Sequence, residues 1–326
     1  MYEVIIIGGG PAGAAAAVYT ARKRLKTLLI AEEFGGQSIV SADVQNWIGE
    51  PHISGYDLAQ KLERHVRSFS DIVDVRLPEK AVAVSKEGCD EETGVCYPPG
   101  VYIFKVATDK GVYLAKTVIF AAGARRKKLG IPGEKEYDGK GVSYCSTCDA
   151  PLFQDKAVAV IGGGNAGLEA AVDLLPYAKK IYLLEFSSAI KGDPVTKEKI
   201  EKSAKAAIVF NAETKEIFGD KFVSGLKYND RVSREEKKLD IQGIFVEIGS
   251  VPNTEMLKGL VDMDEWGHIK IDSKYATTSC AGFFAAGDAT DDPFKQNNIA
   301  VGDAVKAALS ASEYILKGAK VTKAII

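Results

Sequence analysis

The sequence predicts an α/β protein built on two Rossmann-like units, and three observations predict it. An apolar strand followed by GxGxxG occurs twice, at residues 4–13 and 158–167. Each copy leads into an alanine-rich helical stretch and then a second apolar strand ending in an acid. The length of 326 residues suits two domains rather than one.

The first copy reads Val4-Ile-Ile-Ile-Gly-Gly-Gly-Pro-Ala-Gly13, and its helical stretch runs from Ala14 to Arg24. Its second strand is Thr27–Ile30, followed by Glu32. The second copy reads Val158-Ala-Val-Ile-Gly-Gly-Gly-Asn-Ala-Gly167, with a helix over Leu168–Leu175, a strand over Ile181–Leu184 and Glu185 at its end. A lone GxGxxG is weak, but strand, helix and acid together give the context of a dinucleotide site. Gly8 and Gly162 make the tight turn. Gly10 and Gly164 let a diphosphate approach, and Gly13 and Gly167 let helix pack on strand. The helix N-terminus holds the diphosphate with its free N–H groups, and Glu32 or Glu185 takes a ribose hydroxyl. No Arg or Lys follows Glu185 until Lys191. A 2′-phosphate there would meet a carboxylate, which favours NADH over NADPH unless Lys191 folds back.

Between the copies, residues 101–108 and 112–114 alternate like a hairpin, and Thr117-Val-Ile-Phe-Ala-Ala-Gly-Ala124 reads as a buried strand closing on a small-residue turn. A related run, Gly282-Phe-Phe-Ala-Ala-Gly-Asp-Ala289, offers the Asp288 carboxylate to a hydroxyl, and Ile299–Leu316 reads as a helix. Acids, glycines and prolines mark residues 88–100 as an exposed loop, which leaves open whether Cys89 and Cys96 pair. Cys280 precedes an apolar strand and reads as buried.

Composition bounds the function. Hydrophobic residues make up 46% and charged residues 26%, the balance of a soluble globular protein, and the net charge of −2 argues against a nucleic-acid partner bound by bulk charge. The N-terminal apolar run Val4–Ile7 is too short for a signal peptide or membrane span, so the expectation is a cytoplasmic protein without membrane contact. Five cysteines without a secretory signal do not describe a disulfide framework, and three histidines with a single CxxC argue against a metal site.

That CxxC is Cys145-Ser-Thr-Cys148, followed by Asp149. At a helix start, free N–H groups lower the pKa of the more N-terminal thiol and make it the nucleophile toward a partner's disulfide. Asp149 is placed to give or take the proton this exchange requires. A nicotinamide delivers hydride, whereas a disulfide takes electrons through thiolate chemistry, and a flavin couples the two. Two dinucleotide sites and one CxxC therefore point to FAD in one site, NADH in the other and the thiols as exit.

Gly8–Gly13, Gly35-Gly-Gln37, Cys145-Ser-Thr-Cys-Asp149, Gly162–Gly167 and Gly282–Asp288 together resemble the low-molecular-weight thioredoxin reductases along essentially the whole chain. Within that group, Leu183-Leu-Glu-Phe186, Arg231-Val-Ser233, Gly243-Ile-Phe-Val246 and Pro252-Asn-Thr254 resemble the reductase part of the alkyl hydroperoxide reductase flavoprotein subunit, without its N-terminal thioredoxin-like domain. The resemblance implies two three-layer ββα domains, with an NAD(P)H domain (residues 128–249, carrying the CxxC) inserted in an FAD domain (residues 1–127 and 250–326). It implies hinges near Lys127 and Gly249, about which one domain rotates against the other, and a homodimer. It assigns Gly8, Gly10, Gly13, Glu32, Gln37, Asn46, Asp288 and Gln296 to FAD, and Gly162, Gly164, Gly167 and Glu185 to NAD(H). Cys148 would face the flavin and Cys145 would attack a thioredoxin- or glutaredoxin-like partner. The His-Arg-Arg cluster that holds a 2′-phosphate in the thioredoxin reductases is replaced here by Glu185-Phe186-Ser187. Some relatives without that cluster use no nicotinamide, so ferredoxin or a deazaflavin is the alternative donor. A slow redox-sensing flavoprotein and a peroxide-forming NADH oxidase are the other readings.

Overall fold

The computed structural model describes residues 1–41, 43–88 and 102–317; Cys89 and Cys96, and the question of their pairing, lie outside the described residues. The chain packs into two compact units: residues 1–39, 47–125 and 251–326 form the first, and residues 40–46 and 126–250 the second.

The first unit opens with β1 (Tyr2–Ile7), α1 (Pro11–Arg22) and β2 (Thr27–Ile30), then α2 (Gly55–Arg67), β3 (Val73–Arg76), β4 (Ala81–Glu87), β5 (Ile103–Thr108) and β6 (Val112–Phe120). Its sheet runs β3-β2-β1-β6-β5-β4, and a C-terminal strand, Phe283–Ala285, pairs parallel with the end of β6. β1, β2 and β3 are parallel, whereas β4, β5 and the first half of β6 form an antiparallel meander. Both faces of β1 are covered: Val4 and Ile6 join one core cluster, Ile5 and Ile7 the other. This is why the strand reads as an unbroken apolar run rather than an alternation. α1 and the C-terminal helix Asn297–Leu316 share a core through Ala14, Ala17 and Ala21 on one side and Ala300, Ala304, Ala307 and Ala311 on the other.

The chain leaves this unit along β7 (Ala124–Arg126). The second unit then contains β8 (Val142–Ser143), α3 (Ser146–Asp149), β9 (Ala157–Ile161), α4 (Asn165–Leu174), β10 (Lys180–Leu184), α5 (Pro194–Glu201), β11 (Ala206–Val209), an antiparallel meander of β12 (Ala212–Gly219), β13 (Val223–Asp230) and β14 (Glu236–Asp240), and β15 (Gly243–Val246). β16 (Ser250–Pro252) spans the return crossing. Close to both crossings, the Lys127 N–H donates to the Gly249 carbonyl at 3.0 Å. The main sheet is parallel throughout, in the order β11-β10-β9-β15-β8. Again the central strand is buried on both faces, Val158 and Val160 toward one cluster, Ala159 and Ile161 toward the other.

α1 and α4 begin three residues before the alanine-rich stretches that mark them in sequence. Pro11 and Asn165 are the first helical residues, because the last three positions of each glycine motif already form the first turn.

Candidate active site

Both glycine turns have the same construction. Gly8 and Gly162 adopt φ of +118°, a region closed to side chains, and so reverse the chain directly off the strand. A methyl on Gly13 would collide with the Gly8 carbonyl, and one on Gly167 with the Gly162 carbonyl, so helix and strand meet backbone to backbone. The second glycine is the N-cap in each copy, and no side chain caps either helix. A Cβ on Gly164 would point into open space, and one on Gly10 would meet only the Gly36 Cα at 3.8 Å. Free N–H groups facing open space suit a diphosphate, so both turns fit a dinucleotide.

Each turn lies at a switch point, where the strands flanking the crevice connect in opposite directions: β1 beside β6, and β9 beside β15. In the first unit, the turn after the C-terminal strand carries Asp288 toward α1, with Gly287 against Ala12. Gln37 Nε2 donates to Asp288 Oδ2 at 2.9 Å, joining two expected FAD residues that are distant in sequence. Gln296 is the N-cap of the C-terminal helix. Glu32 is exposed at the end of β2 and pairs with Lys80 at 3.1 Å.

In the second unit, Glu185 is held from both sides. Its Oε2 accepts the Gly163 N–H at 2.7 Å, and its Oε1 accepts the Ser187 N–H at 2.7 Å and the Ser187 hydroxyl at 2.5 Å. The loop beyond turns back, and the Lys191 N–H reaches the Gly163 carbonyl at 3.3 Å. The fold also supplies a cation that the local sequence does not show. Arg231, from the turn between β13 and β14, stacks its guanidinium 3.9 Å from the centre of the exposed Phe186 ring and donates to the Phe186 carbonyl at 3.0 Å.

Cys145 and Cys148 form a disulfide with 5.3 Å between their Cα atoms. Cys145 is the N-cap of α3, as a CxxC at a helix start requires, and its Sγ accepts the Cys148 N–H at 3.2 Å. In the reduced form the same donor favours a thiolate on Cys145. Two side chains outside the motif fix the turn. Ser143 Oγ accepts the Cys145 N–H at 3.2 Å, and Asp173 on α4 accepts the hydroxyls of Ser146 at 2.8 Å and Thr147 at 3.3 Å. Burial pushes the Asp149 carboxyl above its ordinary range; the Ser143 hydroxyl opposes this, and the nearby Asp43 adds to it. Ser143 donates to Asp149 Oδ2 at 2.6 Å, while Oδ1 is buried with no hydrogen-bond partner among the described residues. A raised, half-partnered carboxyl holds a proton well. Asn46, in the segment that packs with this unit, places Nδ2 4.0 Å from Cys148 Sγ.

Ser143, Asp173 and Glu247 escaped sequence reasoning, and Arg231 entered it only within the resemblance, with no role assigned. Only Glu247 left a local signal, an acid ending the apolar run Gly243–Val246. Among the described residues, no helix is long and apolar enough to cross a membrane.

Comparison with known proteins agrees with this geometry. The family model described as pyridine nucleotide-disulphide oxidoreductase matches residues 2–308. The chain is 42% identical over 317 residues to a Bacillus subtilis protein named NADH dehydrogenase, covering 97% of this chain and 59% of that protein. It is 44% identical over 318 residues to the F subunit of alkyl hydroperoxide reductase from Pseudomonas aeruginosa, covering 97% and 58%. The chain thus spans less than two thirds of these curated relatives. A thioredoxin reductase structure from Streptococcus pyogenes superposes with a TM-score of 0.87 at 32% identity, covering 97% of this chain and 99% of that one. With two glycine turns, a dithiol turn and this match over nearly its whole length, the chain belongs to the pyridine nucleotide-disulphide oxidoreductase family, among its thioredoxin-reductase-like members, a membership that implies FAD and a nicotinamide cofactor.

Proposed function

We propose that this chain carries electrons from NADH through FAD to the Cys145–Cys148 pair and on to the disulfide of a thioredoxin- or glutaredoxin-like protein. One observation carries the reading: the disulfide opens a helix two strands from the second glycine turn, in the same parallel sheet. The first unit would hold FAD through Gly8, Gly10, Gly13, Glu32, Gln37, Asp288 and Gln296. The second would hold the nicotinamide cofactor through Gly162, Gly164, Gly167 and Glu185. Asn46, beside Cys148, would mark the sulfur that faces the flavin. FAD supplies the coupling between hydride and sulfur chemistry.

Once the pair is reduced, the Cys148 N–H favours the thiolate on Cys145, which attacks the partner's disulfide. One partner sulfur leaves and takes a proton, for which Asp149 is the nearby source. Cys148 then attacks Cys145 Sγ, re-forming the disulfide and releasing the partner's second thiol.

NADH is the preferred donor on this reading, because the anchored Glu185 carboxylate would repel a 2′-phosphate. Arg231, stacked on Phe186, is a group that would attract it. Anaerobic mixing with each nicotinamide decides the donor: NADH should bleach the flavin within seconds, roughly tenfold or more faster than NADPH at equal concentration. If neither bleaches it, the donor assignment fails. Cys145→Ser should keep flavin bleaching and lose partner reduction; surviving partner reduction would remove the thiols as the exit.

A further inference from the structure

Strand order puts one acid between the two working turns of the second unit. Gly162 is the first residue beyond β9, Glu247 the first beyond β15, and Tyr144-Cys145 follow β8. Since β15 lies between β9 and β8, Glu247 stands between the glycine turn and the thiol turn. Its N–H extends the ladder to the Ile161 carbonyl at 2.9 Å, and its carbonyl packs against Gly162. Its residue is only 9% exposed. The Ser146 N–H, from the residue after Cys145, is near enough to draw the Glu247 carboxyl downward.

The charged groups facing it are Arg126 on β7 and Asp173 and Glu169 on α4. Burial raises its carboxyl to about 7, with Asp173 and Glu169 adding to the rise and Arg126 and the Ser146 N–H opposing it. Asp173 also holds the Ser146 and Thr147 hydroxyls, so both carboxylates bear on the same turn.

We propose that Glu247 is a positioning residue that couples the redox state of the Cys145–Cys148 pair to uptake of a proton. Ionised, it places a negative charge beside the Ser146 N–H at the start of the thiol turn. When the S–S bond breaks, two electrons and two protons enter. One proton goes to Cys148 and one to Glu247, while the negative charge moves to the Cys145 thiolate. Reoxidation by the partner's disulfide reverses each transfer. The inference rests on the thiol chemistry proposed above.

The test equilibrates the flavin-loaded protein in dithiothreitol buffers between about pH 5.5 and 8.5, around the carboxyl's own range. Alkylation and mass measurement of the peptide bearing Cys145 and Cys148 then give the reduced fraction, and timed alkylation of the reduced protein gives the Cys145 reactivity. In the unmodified protein both should inflect near neutrality. Glu247→Gln keeps an acceptor for Ser146 but cannot ionise. It should remove the inflection and raise the ratio of reduced to oxidised pair at pH 8 by roughly tenfold, because no proton then has to be taken up at this position. Arg126→Gln removes the opposing cation and should move the inflection to higher pH, which keeps the test open should Glu247→Gln fold poorly. Profiles of Glu247→Gln or Arg126→Gln that superimpose on the unmodified protein overturn the coupling alone. A pair that does not exchange with dithiothreitol at any pH overturns the thiol chemistry as well.

Discussion

Glu247→Gln should also flatten the dependence of stability on pH through the neutral range. The Glu247 carboxyl rises from 4.5 to about 7 in the folded protein. The folded state therefore keeps a proton over an interval in which the unfolded chain has released it. Its stabilising contribution is full below about 4.5, falls as pH rises, and is gone once the pH passes about 7. The gap of about 2.5 pH units, at 1.36 kcal/mol each, corresponds to roughly 3 kcal/mol. Little discount for solvent screening applies, since the residue is 9% exposed. Asp149 is shifted in the same direction, so the difference between Glu247→Gln and the unmodified protein isolates the Glu247 share. Urea unfolding at about pH 5 and pH 8, followed by far-ultraviolet circular dichroism, measures it. Both tryptophans, Trp47 and Trp266, lie in the first unit, so their fluorescence reports separately on the unit that lacks Glu247. Equal losses between the two pH values in both proteins would refute the argument that burial raises this carboxyl.

Three further substitutions test the packing around the sites. Gly167→Ala forces a methyl against the Gly162 carbonyl and should cost about 1–3 kcal/mol or more while weakening flavin bleaching by NADH; Gly13→Ala should cost a similar amount but lose bound flavin instead. Urea titration with flavin content checks both, and a change under about 0.5 kcal/mol in either would show that helix and strand are not in that contact. Glu134 is 4% exposed and accepts the N–H groups of Leu129 at 2.8 Å and Gly130 at 2.7 Å and the Tyr144 hydroxyl at 3.0 Å. Glu134→Ala leaves three donors without this partner and should cost roughly 2–4 kcal/mol in the same titration, whereas a loss below about 1 kcal/mol would mean that they find other partners.

The sequence by itself determined the features that depend on local chain geometry. β-Branched runs made β1 and β9 strands, glycines gave the φ of +118° at Gly8 and Gly162, and alanines filled α1 and the C-terminal helix. The thiol turn was equally local, because Cys145 and Cys148 are brought together by a single helical turn. Tertiary structure decided which side chains surround those turns, since that depends on strand order and packing between distant segments. It joined Gln37 to Asp288, set Asp173 under the Ser146 and Thr147 hydroxyls, and packed residues 40–46 with the second unit. It brought Arg231 onto Phe186 although no basic residue follows Glu185 before Lys191. It also buried Glu247 between two strand ends, where loss of solvent rather than any neighbouring residue in sequence sets its affinity for a proton.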